Sequence, residues 1–305
     1  MAYKTEINVG GRLTEVTHFD HTAQQIDDAV DAVGTKLPTL EDAIAAVSQS
    51  GAQLLDNWYF VPTYDSGGGM ILPINQRGVA LDTAFTTAGG YFLDRWLLVS
   101  GTVLLTASGL LLNGTLRQKR EIPIGKTEFA ASVLCAAGEA TAEYDDRLMY
   151  FDITSDGGTV VAAKLEEGTK QTLYKELEDG TLQLLDPLPD PALELVACQR
   201  FLRRFKGDWP TVACSSGRVV LNISWESPMR SAPTVIPVGD GKPDWIRVNG
   251  SMYNEGSGIK LDPVSMFSSN QYAGSVQWLL QEEMSALQHH TGYLSPIYFF
   301  LSAEL

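Results

Sequence analysis

The stretch WLLVSGTVLLTASGLLLNGTL, residues 96–116, carries no charge over its whole length. A membrane-spanning helix needs about 20 consecutive apolar residues, so length and apolarity alone would suit one. The punctuation does not. Ser100-Gly101, Ser108-Gly109 and Asn113-Gly114 interrupt the run every few residues. Gly next to Ser or Asn marks turns, because these residues reach backbone conformations that other side chains resist. The reading is therefore a set of short strands, 96–99, 103–106 and 110–112, joined by turns, with no membrane insertion.

The same texture extends outward. Residues 148–153 and 159–164 are strand-like, and so are 211–213, 218–224, 234–238, 245–249, 276–280 and 297–303. Turn signals separate such runs, among them Gly89-Gly90, Asp156-Gly157-Gly158 and Asp179-Gly180. Strands at this spacing predict β-sandwich or jelly-roll modules. Between two of them, Asp186-Pro187-Leu188-Pro189-Asp190-Pro191 cannot continue a central strand and reads as a linker. A short helix is expected after it, over residues 192–205. Leu195, Cys198, Phe201, Leu202 and Phe205 fall on one face of it. Arg200, Arg203, Arg204 and Lys206 fall on the others, either as a solvated face near the helix C-terminus or as partners for acidic residues of a neighbouring subunit.

Toward the N-terminus the pattern changes. Residues 1–20 are polar and unpatterned, an attachment segment. Thr22 and Gln25 then have the spacing of a capping box. Ile26, Val30, Val33, Leu37, Leu40, Ile44 and Val47 follow at alternating intervals of four and three, a heptad seam. Gly34 and Pro38 break it into two short helices, each near the length at which an isolated helix becomes marginal. β-branched residues at the inner positions favour higher-order bundles, so the seam fits a homotrimeric stalk. A helical hairpin folded at Gly34–Pro38 is the alternative. The expected organisation is an attachment segment over 1–20, a stalk over 21–54, a β-module over 55–185, a linker and helix over 186–207, and a second β-module over 208–305.

The chain has 37 acidic against 22 basic residues and a net charge of −15. Phosphate backbones and anionic membranes repel such a chain, which excludes general nucleic-acid binding. Cys135, Cys198 and Cys214 form no C-x-x-C pair and read as small buried hydrophobes. The first residues lack the apolar core of a secretory signal, so synthesis in a cytoplasm is expected. No nucleophile elbow, zinc-protease motif or phosphate-binding loop is present in the sequence. His18 and His21 would gather six imidazoles in a trimer, and Asp152 and Asp156 flank a glycine turn, but neither has the spacing of an established metal motif. No catalytic residue, metal or cofactor is assigned.

The segments LLDNWYF (54–60), PINQRG (73–78) and YFLDRW (91–96) resemble the opening of a module in tail-fibre proteins of tailed phages and prophages. AKLEEGT (163–169) is similar to that module's last strand, LVACQRF (195–201) to the helix after it, and PMRSAPT (228–234) to the β-segment beyond. FDHT (19–22) matches a common stalk entry, while the insert 64–70 lengthens the usual first loop. The resemblance implies a carbohydrate-binding-type jelly roll, a place in the virion, partners among tail or baseplate proteins, and a host-surface glycan as ligand. A purely architectural spacer and a fibre-borne polysaccharide depolymerase are the alternatives. The residues themselves read structurally: Asp94 and Arg95 as a charge pair at a strand end, Trp96 as a core anchor, Asn75–Gly78 as a polar turn. Aromatics for sugar stacking are sought in the C-terminal module, first Tyr253 and Tyr272 in loop-like segments, then Trp245, with Trp278 inside a strand.

Overall fold

The computed structural model describes residues 3–9, 12–18, 51–120, 128–214, 218–225, 227–238, 245–248, 251–253, 262, 264–270, 273–279 and 290–304. The chain forms two compact units, Met1–Gly51 and Ala52–Leu305. It is mainly β, built from antiparallel sheets, with a single helix among the described residues. In the first unit β1 (Tyr3–Val9) and β2 (Arg12–His18) pair as a hairpin, Tyr3 opposite His18 and Val9 opposite Arg12. This corrects the reading of residues 1–20 as unpatterned: Tyr3, Thr5, Ile7 and Val9 alternate with Lys4, Glu6 and Asn8 in a strand pattern. The heptad residues Ile26, Val30, Val33, Leu37, Leu40, Ile44 and Val47 lie outside the described residues.

The second unit begins with β3 (Thr63–Tyr64) and β4 (Met70–Leu72), which pair around the insert 64–70. A six-stranded sheet follows, made of β5 (Gly90–Leu93), β6 (Trp96–Thr106), β7 (Gly109–Lys119), β8 (Phe129–Ala137), β9 (Ala140–Asp145) and β10 (Tyr150–Glu167). Its order is β5-β6-β7-β10-β8, and β9 continues β8 along the same edge of β10. Residues 54–60 run beside the far half of β10: Leu54 N donates to Leu165 O at 2.9 Å, and Phe60 N to Val161 O at 2.8 Å. Gln53 Nε2 also donates to Ala163 O at 2.8 Å, so residues 52–54 belong to the β-body and not to a stalk.

One face of this sheet is the core. Phe92, Trp96, Leu98, Val103, Leu105, Leu110, Leu112, Leu116, Phe151 and Ile153 are fully buried there. Each contributes roughly 1.5–3 kcal/mol by leaving water. Trp96 sits at the centre, edge-on to Phe60 at 5.3 Å and to Phe151 at 6.2 Å. Asp152, Thr154 and Asp156 alternate with Phe151, Ile153 and Ser155 and face outward, as a half-solvated antiparallel sheet requires.

Two glycine signals read as turns are not turns. Ser100-Gly101 lies inside β6 and Asn113-Gly114 inside β7, and the two glycines pair directly. Gly101 has φ +86°, and a Cβ there would lie 2.0 Å from Asn113 O. These residues let two backbones approach within one long hairpin, and only residues 107–108 turn. Likewise Asp156-Gly157-Gly158 is a bulge within the 18-residue β10, not a hairpin turn. Gly101→Ala should cost about 2 kcal/mol or more, because neither strand can yield without losing its ladder. Chemical denaturation checks this, and an unchanged midpoint would show that the strands part freely.

At its end β10 carries a buried ion cluster. Lys164 Nζ lies 2.8 Å from Asp186 Oδ1, 2.9 Å from Thr172 Oγ1 and 3.4 Å from Glu166 Oε2. Thr172 N donates to Glu166 Oε1 at 2.6 Å. The cluster ties the chain reversal after Glu167 to the hairpin β11 (Tyr174–Glu176) and β12 (Leu182–Leu184).

The helix α1 spans Pro191–Gln199, shorter than expected. Asp190 caps it, its carboxylate accepting from Ala192 N at 2.8 Å, and Pro191 fills the first helical turn. Phe201, Leu202 and Phe205 are not on its face. The chain leaves the helix at Arg200 and enters β13 (Leu202–Cys214). That strand belongs to an eight-stranded sheet with β14 (Arg218–Ser224), β15 (Thr234–Pro237), β16 (Trp245–Val248), β17 (Ser251–Tyr253), β18 (Ser265–Ser269), β19 (Ala273–Leu279) and β20 (His290–Ser302). The order is β17-β16-β20-β13-β14-β19-β18, with β15 also on β20. Val219, Leu221 and Ile223 alternate inward and pack with Val276, Trp278, Phe299 and Leu301.

Candidate functional site

Three of the motif segments, 54–60, 73–78 and 91–96, meet with the helix in one polar junction. Asn57 has φ +55°, a conformation that Asn tolerates better than branched residues. Its Oδ1 accepts from Ile74 N at 2.7 Å, and its Nδ2 donates to Ile74 O at 2.9 Å and Asp94 O at 3.0 Å. Its backbone N donates to Glu194 Oε2 of α1 at 2.6 Å, and its carbonyl accepts from Trp96 Nε1 at 2.8 Å. Gln76 Nε2 reaches Leu202 O at 2.9 Å, and Arg77 pairs with Glu304. LLDNWYF, PINQRG, YFLDRW and the α1 segment thus lock the first sheet to the helix and to the last residues of the second.

Asp94 and Arg95 do not pair with each other. Asp94 accepts from Gln76 N at 3.0 Å and faces Arg77 Nε at 3.8 Å. Arg95, at φ +75°, turns the other way, with its Nε 3.1 Å from Asp56 Oδ2 and its guanidinium 3.5 Å above the Phe201 ring. Asp94 and Arg95 form the two-residue turn between β5 and β6, with Leu93 opposite Trp96, and the positive φ of Arg95 turns its side chain away from that of Asp94, so each finds a partner brought by another segment.

Burial pushes the Asp94 carboxyl up to about 7; Gln76 and Arg77 oppose the rise and Glu304 adds to it. Burial raises Glu304 as well, against Arg77. A carboxyl raised on folding contributes stability that is complete below its unfolded value and is lost as pH climbs through the folded one. The junction should therefore weaken as pH rises from about 4 to about 7. Denaturation midpoints measured across that window for the wild type and Asp94→Asn should converge at acid pH and separate at neutral pH, the wild type falling. Parallel profiles would remove Asp94 as the titrating group.

The aromatics singled out for sugar stacking fall in the second sheet. Trp245 opens β16, and Tyr253 ends β17, opposite Ile246, so Tyr253 is on an edge strand and not in a loop. Tyr272 lies outside the described residues; its neighbours Asn270 and Ala273 are at the other end of the strand order. Trp278 is fully buried, a core residue. Beside the β18–β19 turn a shallow groove of about 380 Å³ is lined by Asn222, Ser224, Ser269, Asn270 and Ser275. Ser275 Oγ donates to Asn222 Oδ1 at 2.6 Å, and Asn270 Oδ1 accepts from Ala273 N at 2.9 Å. Among the described lining residues the polar groups are uncharged amides and hydroxyls, which suit polyol hydroxyls better than an anion.

Of the cysteines, Cys198 is buried against Leu72 and Ile74, and Cys135 is half-buried in β8. Among the described residues no group of His, Cys, Asp and Glu is arranged to hold a metal ion. No described helix is long and apolar enough to cross a membrane. No family model, curated protein or solved structure matches the chain.

Proposed function

We propose that this chain is a tail-fibre-type structural protein of a tailed phage or prophage that binds a host-surface glycan, its two sheets belonging to jelly-roll-like β-modules. One observation carries the reading: three of the segments resembling fibre modules, 54–60, 73–78 and 91–96, converge with the helix on a single junction, from Asn57 to Glu304. Residues quoted for a resemblance gain weight when they share one structural task. The groove beside the β18–β19 turn, whose described polar lining is amides and hydroxyls, supports a saccharide ligand.

Assembly is part of the proposal. Leu177, Leu182, Leu185, Leu188, Leu193 and Val196 are 39–70 % exposed and come from one stretch of chain. Apolar surface so concentrated favours association. In the trimer reading the seam from Ile26 to Val47 holds three copies together. A chain beginning at Ala52 should then fall from trimer to monomer mass in solution. A trimer surviving the truncation would move the interface to the β-body.

Incubation of the full chain with a panel of bacterial surface polysaccharides tests the function. Retention on at least one polysaccharide without new reducing ends is expected. New reducing ends would make the protein a depolymerase, and retention on none would leave a spacer.

A further inference from the structure

The first sheet bends where β8 gives way to β9 at Gly138–Glu139, facing the bulge at Asp156–Gly158 in β10. The bend is fixed by hydrogen bonds. Ser155 Oγ donates to Glu139 O at 2.6 Å and accepts from Gly158 N at 2.8 Å. A Cβ on Gly158 would stand 2.7 Å from Glu139 O, so this approach requires glycine. The hairpin β11–β12 rests against the same core through Tyr174 and Leu184. Together they enclose an open groove of about 540 Å³, lined by Val133, Cys135, Glu139, Thr141, Asp156 and Tyr174. That volume lies within the roughly 300–1,000 Å³ of small-ligand sites.

The lining has a distinct chemistry. Val133, Cys135 and Ala140 form an apolar floor, and one aromatic side chain, Tyr174, stands on a wall. Glu139, Thr141 and Asp156 are solvent-exposed at the rim. Among the described residues, no Lys or Arg lines the groove. A pyranose has an apolar C–H face for the floor and ring, and vicinal hydroxyls that donate to carboxylates. Phosphates, nucleic acids and uronic or sialic acids would meet two carboxylates, with no cation among the described lining residues. We propose that this groove is a second saccharide site, selective for neutral hexoses or N-acetylhexosamines over acidic sugars. The proposal rests on the glycan-binding reading above and gives it a location in the first module.

Cys135 supplies a local reporter. The full chain is titrated with methyl glycosides of neutral hexoses and N-acetylhexosamines, with methyl glucuronide as the anionic arm. Alkylation at Cys135 is followed by peptide mass mapping. At least one neutral glycoside should slow alkylation, and methyl glucuronide should not. The double variant Glu139→Gln/Asp156→Asn keeps the exposed rim in shape and should weaken neutral binding about tenfold or more, the loss expected for two charge-assisted hydrogen bonds. Equal binding by the double variant, equal binding of glucuronide, or protection by no neutral glycoside would overturn the proposal. A groove protected only by a lysine-rich peptide would be a cation-binding cleft and would overturn it too. Adsorption to bacterial cells separates the two levels. Cells bound equally by both proteins, with a silent groove, would leave the host-surface reading standing without this site. A working groove in a protein that binds no cell surface would leave the site without that reading.

Discussion

Replacing Asn57 with Ala should destabilise the chain by about 3–5 kcal/mol, because three buried backbone groups lose their partner in one step. Those groups are Ile74 N, Ile74 O and Asp94 O, and Asn57 itself is 1 % exposed. The backbone at φ +55° adds a further cost, because Ala keeps the Cβ crowding and loses the short polar side chain by which Asn tolerates this conformation. Water cannot easily replace the amide beneath Trp96, which donates to the Asn57 carbonyl. Asn57→Asp is the informative companion. It keeps the acceptor for Ile74 N, loses the two donations and places a charge beside Asp94, so it should be nearly as damaging. Urea denaturation followed by tryptophan fluorescence measures both. A loss below about 1 kcal/mol for Asn57→Ala would mean that the junction is solvated and not a lock.

Lys164→Met should cost a similar amount, about 3–5 kcal/mol, by a different route. The side chains of Lys164 and Glu166 are each 1 % exposed, and that of Asp186 is 9 %. Removing the ammonium strands two carboxylates in the interior, and an uncompensated buried charge is far more costly than a missing contact. Adding Glu166→Gln to Lys164→Met should recover part of the loss. The amide can still accept from Thr172 N, as Glu166 Oε1 does at 2.6 Å. If the double variant is no more stable than the single one, packing of the Lys164 stem and not charge sets the cost.

Much of the β-class was legible because apolar residues alternate in runs such as Val219, Leu221 and Ile223. The core role of Trp96 was legible from its place after a polar dipeptide. The errors have physical causes. Gly101 and Gly114 carry the same local signal as a turn, yet serve a cross-strand approach that only the pairing of β6 with β7 creates. Leu195, Cys198, Phe201, Leu202 and Phe205 fit a helical period. Leu202 and Phe205 nevertheless pair with Ser302 and Phe299 of β20, and a ladder formed a hundred residues away overrides the local pattern. The pairing of Tyr3–Val9 with Arg12–His18 was not read from the sequence, although the alternation of Tyr3, Thr5, Ile7 and Val9 with polar residues is visible in it. The junction was legible only as separate motifs: nothing local ties Arg77 to Glu304. The groove around Tyr174 was not legible, since it exists only once the β11–β12 hairpin folds over the bend at Gly138. Asp156-Gly157-Gly158, which forms one side of that bend, carries the same local signal as a turn.

Immunogold electron microscopy of phage particles, with an antibody raised against residues 52–305, tests the central claim most directly. The account predicts gold on thin fibres projecting from the tail or baseplate, and loss of particle adsorption to cells when the antibody is bound. Gold confined to the capsid, or particles that adsorb equally well with the antibody in place, would contradict it.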